Sequence, residues 1–407
     1  MKNNRTFLEK LLDGAEVEWK TLDEISSIYG GLTGKGKADF ENGNALYVPY
    51  KNIFNNIEVD FNNLEAVNVS DDERQYTIKY GDVLFTGSSE TAEEAGMSSA
   101  VTTKTEQKIY LNSFSFGLRF NDNVELLPEF SKFLFRTLSI RKEIVKSASG
   151  VTRFNISKAR FKKIKIPIPP LSVQTEIVRI LDALTALTSE LTSELTLRRK
   201  QYEYYREKLL SFDSLERLNM GGAKKKLIDV AIYAKVRILA DKLDKENYVG
   251  VENLLQNKLG KTSSNYVPTD GAFIEYLPND ILIGNIRPYL RKIWLSDRKG
   301  GTNGDVLVIR LTDDNILPRY LYHILANEHF FEYNIKYSKG AKMPRGDKAA
   351  ILQYEFDVPS LEEQHRIVSI LDKFETLTNS ITEGLPLAIE QNQKRYEYYR
   401  ELLLNFS

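Results

Sequence analysis

Two long segments of this chain occur twice. Leu171–Asp182 reads LSVQTEIVRILD and Leu361–Asp372 reads LEEQHRIVSILD; Lys200–Phe212 reads KQYEYYREKLLSF and Lys394–Phe406 reads KRYEYYRELLLNF. The first pair is displaced by 190 positions and the second by 194. A repeat of this period confines the fold to two similar halves, each closed by helical segments of one design. The stretches between them agree in layout more than in residues. Segments that keep the same apolar positions answer one geometric demand, mutual packing, whereas segments that differ are free to meet different targets.

The pattern predicts an α+β fold with boundaries at 1–165 (first globule with an N-terminal helix), 166–218 (first helical region), 219–356 (second globule) and 357–407 (second helical region). In the first globule, β-branched and aromatic runs at Ala45–Tyr50, Val83–Thr86 and Tyr110–Phe120 lie between Gly, Asn and Asp turns. Leu127–Ser147 has helical spacing through Phe130, Phe133, Leu134 and Leu138. Ile166-Pro167-Ile168-Pro169-Pro170 is a stiff extended strap, after which Ser172 is the expected N-cap. From there to Phe212 there is no Gly or Pro, which allows about 60 Å of helix. Leu184, Leu187, Leu191, Tyr202, Tyr205 and Leu209 trace an apolar seam, weak near Glu194 and Arg198. Gly221-Gly222 marks a linker, with Asn219–Ala223 around it. The second globule echoes the first: Gly81-Asp82-Val83-Leu84 by Asn279-Asp280-Ile281-Leu282, Leu127-Pro128 by Leu317-Pro318, and Gly150 by Gly340. Leu377, Ile381, Tyr396, Tyr399 and Leu403 form the second seam, and Gly384-Leu385-Pro386 should end one helix near Thr382 and start another near Pro386.

Composition excludes several chemistries. Without cysteine there are no disulfides or thiolate metal sites, and His323, His329 and His365 lack metal-ligand spacing. The N-terminus has no apolar run suited to a signal peptide or membrane span, so the cytosol is the expected compartment. Fifty-six basic and 56 acidic residues cancel, which argues against a chain wholly devoted to coating nucleic acid. Gly34-Lys35 and Gly260-Lys261-Thr262 suggest phosphate loops, but Tyr29 and Leu255 stand where the first glycine is required. Asn-Pro-Pro-Tyr and Asp-Pro-Pro-Phe methyltransferase motifs are absent. Glu106-Gln107-Lys108, downstream of Asp82, faintly echoes a nuclease site and is better read as a solvated turn.

Basic loops are the positive signal. Arg153 precedes Lys158, Arg160, Lys162, Lys163 and Lys165; Lys336, Lys339, Lys342 and Arg345 hold the corresponding place in the second half; Arg287 and Arg291 flank Tyr289. Such loops either neutralise phosphates and read guanine, or form a solvated face. Their recurrence at one place in both halves supports DNA contact by Arg153, Lys158, Lys162, Arg287, Arg291, Lys339, Lys342 and Arg345. The YEYYR tyrosines are read as packing residues, with base stacking as the alternative.

Pro169-Pro170-Leu171, Gln174, Ile177-Val178 and Ile180-Leu181-Asp182, their second copy, both tyrosine-rich helix ends and the Glu383-Gly384-Leu385-Pro386 break together resemble the DNA-specificity subunits of type I restriction–modification systems. The resemblance covers the whole chain. It implies two target-recognition domains, each reading a half-site in the DNA major groove, held apart by two long antiparallel, coiled-coil-like helical regions in a pseudo-twofold repeat. It implies no catalysis and no cofactor in this chain. The expected partners are double-stranded DNA, two modification (methyltransferase) subunits and motor–nuclease restriction subunits, with S-adenosylmethionine, ATP and magnesium belonging to those subunits. Thr6–Trp19 resembles the continuation missing after Phe406, so it is expected to lie beside the C-terminus. A nuclease or methyltransferase with its own recognition domains, and a coiled-coil adaptor, are the alternatives. Finally, Thr188-Ser189-Glu190-Leu191 and Thr192-Ser193-Glu194-Leu195 repeat a tetrapeptide in tandem, which makes the first helix a candidate ruler.

Overall fold

The chain divides into two compact units, Met1–Ser189 with Gln391–Ser407, and Glu190–Glu390. The computed structural model describes residues 7–41, 43–211, 223–380 and 382–406. Phe212, Ile381, Thr6 and most of the expected linker lie outside the described residues. Helix Phe7–Leu12 places Leu11 and Leu12 against the core that also holds Leu403, Leu404 and Phe406, as expected of the N-terminal stretch.

The first unit is built on an antiparallel sheet ordered Ser26–Gly30, Ser115–Phe120, Val83–Thr86, Ser98–Ala100. Phe85, Phe116, Phe130, Phe133, Phe135 and Phe161 share the core on this sheet. The second unit repeats the scheme with Ala231–Tyr233, Val306–Leu311, Ile281–Gly284, Ile293–Leu295. Each unit is also closed by a two-stranded ribbon. Glu18–Thr21 pairs with the strap strand Lys165–Ile168, and Ala223–Lys226 pairs with Glu355–Val358. A ribbon of two strands has only edges, so Pro167 is tolerated there.

The echoed sequences are one turn built twice. Gly81 and Asn279 have φ of 90° and 72°, the left-handed region that glycine and asparagine tolerate best. The next residue is a buried aspartate. Asp82 accepts from the Lys79 N–H (2.8 Å) and, through both oxygens, from Arg119 (2.8 and 2.6 Å). Asp280 does the same with the Leu277 N–H (2.7 Å) and Arg310 (2.9 and 2.6 Å).

The glutamine of the repeated motif also has a structural cause. Buried Gln174 accepts from the Leu127 N–H (2.9 Å) and donates to the carbonyls of Glu125 (2.8 Å) and Pro169 (2.7 Å). Gln364 repeats this with Leu317, Asn315 and Pro359, all at 2.9 Å. Each glutamine thus ties the start of a long helix to the loop before Pro128 or Pro318. Gln364→Ala is expected to cost about 1–3 kcal/mol for each backbone group left unpaired. A urea titration measures it, and a loss under 1 kcal/mol would contradict the hub.

Several expected elements are redrawn. Leu127–Ser147 is two helices, Pro128–Leu134 and Leu138–Ser147, because Thr137 caps the second with its hydroxyl; Leu138 faces solvent. Tyr110–Phe120 divides into Ile109–Leu111 and Ser115–Phe120. Ser172 is not the N-cap. The helix runs Leu171–Leu210, and the N–H groups of Val173 and Gln174 donate to the Pro170 carbonyl. In the second copy Ser360 holds the place of Pro170 and caps Leu361–Asn379 through its hydroxyl. Gly384, at φ 86°, precedes Leu385–Leu403; a Cβ there would lie 2.5 Å from the Thr376 carbonyl oxygen.

The seams are narrower than the spacing predicted. Tyr202 is buried and stacks on Phe374 at 6.1 Å, while Tyr396 is half-buried against Phe133 at 6.3 Å. The stripe continues four residues on, through buried Arg206 and half-buried Arg400, and ends on Leu210 and on Leu403 with Leu404. Leu184, Leu191, Leu209 and Leu377 are half-buried. Leu187, Tyr205 and Tyr399 are corrections, being 40%, 41% and 37% exposed, although Tyr205 still stacks on Phe374 at 5.5 Å. A stripe at i and i+4 leaves position i+3 on the flank. Between Leu184 and Thr188 the buried contact is polar: Asn392 donates to the Leu184 carbonyl and to Thr188 Oγ1, both at 2.8 Å.

The repeated motif's terminal aspartate meets a different cation in each unit. Asp182 lies 2.8 Å from buried Lys132. Asp372 accepts from Arg319 at 2.7 Å and lies 2.8 Å from His323 Nε2, and Arg319 also reaches Glu375 at 2.7 Å. His323, Asp372 and Glu375 stand close enough to suggest a metal centre, but Arg319 holds both carboxylates, so this is an ion network. Burial pulls the His323 imidazole below its ordinary 6.5 despite the bond to Asp372. Burial raises Asp372, but the bonds from His323 and Arg319 outweigh it and hold the carboxyl below its ordinary range. Both groups bind protons less readily folded than unfolded. The His323 contribution is therefore present above pH 6.5 and is lost as pH falls below it, and the Asp372 contribution is lost only below about 3.8, each by at most about 1.4 kcal/mol per pH unit. Thermal midpoints between pH 7.5 and 5 should show this slope, and His323→Asn should flatten it above pH 5.

Candidate nucleic-acid interface

The basic loops lie on one backbone device present in both units. In the first, Ala148–Ser149 and Phe154–Ile156 form a hairpin around Gly150, and the second strand also pairs with Ser88–Ser89. Asn155 is thereby opposite both Ser149 and Ser88. In the second, Arg345 is opposite both Lys339 and Ile286 around Gly340. The Ile156 N–H donates to the Gly87 carbonyl at 3.0 Å, and the Gly346 N–H to the Asn285 carbonyl at 3.1 Å. Gly150 allows the tight turn, since a Cβ there would lie 1.9 Å from the Arg153 carbonyl oxygen.

The side chains on this shared frame differ. Exposed Arg153 donates to Ser88 Oγ at 3.1 Å and lies over the ring of Phe114, itself 62% exposed. Tyr50, Phe54, Glu90 and Glu94 complete the walls of a cleft of about 560 Å³ beside it. Lys158 follows the hairpin, its ammonium 5.9 Å from the ring centre of Phe116, and Lys162 pairs with Asp23 at 3.0 Å. Glu106-Gln107-Lys108 is an exposed turn, as expected.

In the second unit the Arg287 N–H donates to the Pro344 carbonyl at 2.7 Å, so the 287–291 loop joins the hairpin. Three of the expected cations there have partners: Arg291 with Glu328, Lys339 with Asp347 at 2.5 Å, and Arg345 with Asp305 at 2.9 Å. The pairs of Lys339 and Arg345 are solvent-exposed, worth little, and open to exchange for phosphates. Arg287 and Lys342 are exposed, and neither side chain has a polar or ionic partner among the described residues. Backbone strain concentrates here. Among the described residues six non-glycine residues have positive φ, and four of them are Asn257, Lys258, Arg287 and Arg291. The left-handed region costs a non-glycine residue roughly 1–2 kcal/mol. The two loops brace each other, the Asn257 N–H bonding to Leu290 (3.0 Å) and the Lys258 N–H to Arg291 (2.9 Å).

Sequence reasoning missed Phe114, whose signal was an aromatic residue directly after the Asn112-Ser113 turn. It also missed Glu328 and Asp305, which lie 37 and 40 residues from their cations, too far for spacing to connect them, and Asp347, which the turn at Gly340 brings back to Lys339. No helix among the described residues is long and apolar enough to cross a membrane.

The family model described as the type I restriction modification DNA specificity domain matches residues 15–198 and again 221–391. A curated Haemophilus influenzae relative, named among the type I restriction enzyme specificity subunits, is 38% identical over the full length of both chains. The Escherichia coli EcoR124I/EcoR124II specificity subunit is 31% identical, over 98% of this chain and 97% of its own. Two solved structures share the fold. The HsdS subunit from Thermoanaerobacter tengcongensis gives a TM-score of 0.54 at 17% identity, over 96% of each chain. A structure concerning complex assembly and conformational transition of the type I restriction–modification system gives 0.62 at 15%, over 96% of this chain and 98% of its own.

Proposed function

Because the chain belongs to the DNA-specificity family of type I restriction–modification systems, we propose that each of its two hairpin frames reads one half of a bipartite duplex target. The chain is a specificity subunit, and catalysis belongs to other subunits of the complex. The observation that carries the reading is a frame kept in the same register in both units while its side chains differ. That is what two readers of different half-sites require.

Partner docking is read from the helices. Tyr204 and Tyr205 form an exposed T-shaped pair at 5.4 Å in one unit, and Tyr398 with Tyr399 repeats it at 5.4 Å in the other. Exposed aromatic pairs at matching places suit two copies of one partner, the modification subunit. S-adenosylmethionine, ATP and magnesium are then used by the modification and motor–nuclease subunits, and the assembly works in the cytoplasm. Mapping methylated adenines in cells carrying this chain with its partner subunits tests the reading; a bipartite motif is expected. Methyl transfer by the isolated chain would favour the enzyme alternative. Duplex DNA binding that depends on sequence would rule out the adaptor.

A further inference from the structure

We infer that Arg287 reads a guanine in the half-site of the second unit, an assignment that rests on the DNA-reading role proposed above. Of the cations that the second frame brings together, Arg291, Lys339 and Arg345 already have carboxylate partners. Arg287 is exposed, and its guanidinium has no polar or ionic partner among the described residues. Its backbone is nevertheless fixed. The residue sits at φ 52° and ψ 65°, its N–H bonds to the Pro344 carbonyl, and Pro288 follows it. A glycine or asparagine would hold that conformation with less strain. An arginine there gains no polar or ionic partner among the described residues, so its guanidinium is open to a partner from outside the unit. A planar fork with two parallel donors matches O6 and N7 of guanine in the major groove. Lys342, a point charge on the neighbouring loop, suits a phosphate instead. The register of the two frames puts Ser89 where Arg287 stands, so the first unit has no guanidinium fork at this position.

The test uses the full chain assembled with its modification subunits. Arg287→Gly suits the backbone, so thermal stability should not fall. Binding and methylation are measured on duplexes carrying every single substitution in the second half-site. The second half-site should contain a G·C pair at which wild type discriminates, and Arg287→Gly should lose that discrimination by roughly 5- to 150-fold while keeping it elsewhere. Three results overturn the assignment: no G·C pair in that half-site, unchanged discrimination, or a uniform loss on all sequences with a salt slope smaller by about one, which marks a phosphate contact. If wild type itself shows no sequence dependence, the DNA-reading role fails, and that outcome is separate from failure of Arg287 alone.

Discussion

Exchanging residues 224–356 for the corresponding segment of a relative is expected to rewrite one half of the DNA target and leave the other half and the gap unchanged. Both cuts fall in strands of one ribbon, Ala223–Lys226 paired with Glu355–Val358, so backbone pairing closes the new segment in the same register. The Gln364 hub makes few demands on the incoming sequence, because its three partners are backbone groups that any sequence supplies. Asp372 and Glu375 demand more. They stay behind while Arg319 and His323 leave, so a segment bringing no cation strands two partly buried carboxylates. A donor with a basic residue at that place should therefore give the soluble chimera. On the old target, each mismatched base pair of the exchanged half-site should cost about 1–3 kcal/mol, so three mismatches reduce binding to near the non-specific level. Methylation mapping reads the result directly. A change in both half-sites would mean that the two units are not independent readers.

The halves, their helices and the break at Gly384 were legible because repetition and glycine or proline placement are local signals. The Asp82 and Asp280 turns were visible as an echo, and their cause was not, since Arg119 and Arg310 lie 37 and 30 residues away. Gln174 and Gln364 were visible only as letters in a motif; a polar residue on an apolar stripe says that it is satisfied without saying by what. The seams were over-read for a physical reason. Spacing at i, i+3 and i+4 admits several stripes, and only tertiary contact chose the one through Tyr202 and Arg206 over the one through Tyr205. The interface was half legible. Its basic loops could be found from composition, but which cations remain available depends on Glu328, Asp305 and Asp347. The left-handed backbone of Arg287 has no sequence signal at all, because arginine does not announce that conformation as Gly81 and Asn279 do.

Inserting one further Thr-Ser-Glu-Leu after Leu195 is expected to keep both half-sites and widen the gap between them by one base pair. The tandem copies lie inside the continuous helix Leu171–Leu210, so four more residues extend a regular helix instead of looping out. The extension lengthens the helix by about 6 Å and rotates one end against the other by a full turn plus roughly 40°. One base pair of DNA advances about 3.4 Å and turns roughly 34° at about 10.5 base pairs per turn. The rotations match for one base pair, whereas the lengths match between one and two. Rotation should decide. A reader facing the wrong side of the duplex loses its base edges entirely, while a residual translation of about 3 Å is absorbed if the helix is inclined to the DNA axis. Methylation at the original spacing should therefore fall to background in the insertion variant, and a deletion of one tetrapeptide should shorten the gap by one. An unchanged gap, or altered half-site bases, would show that the helix does not set the spacing.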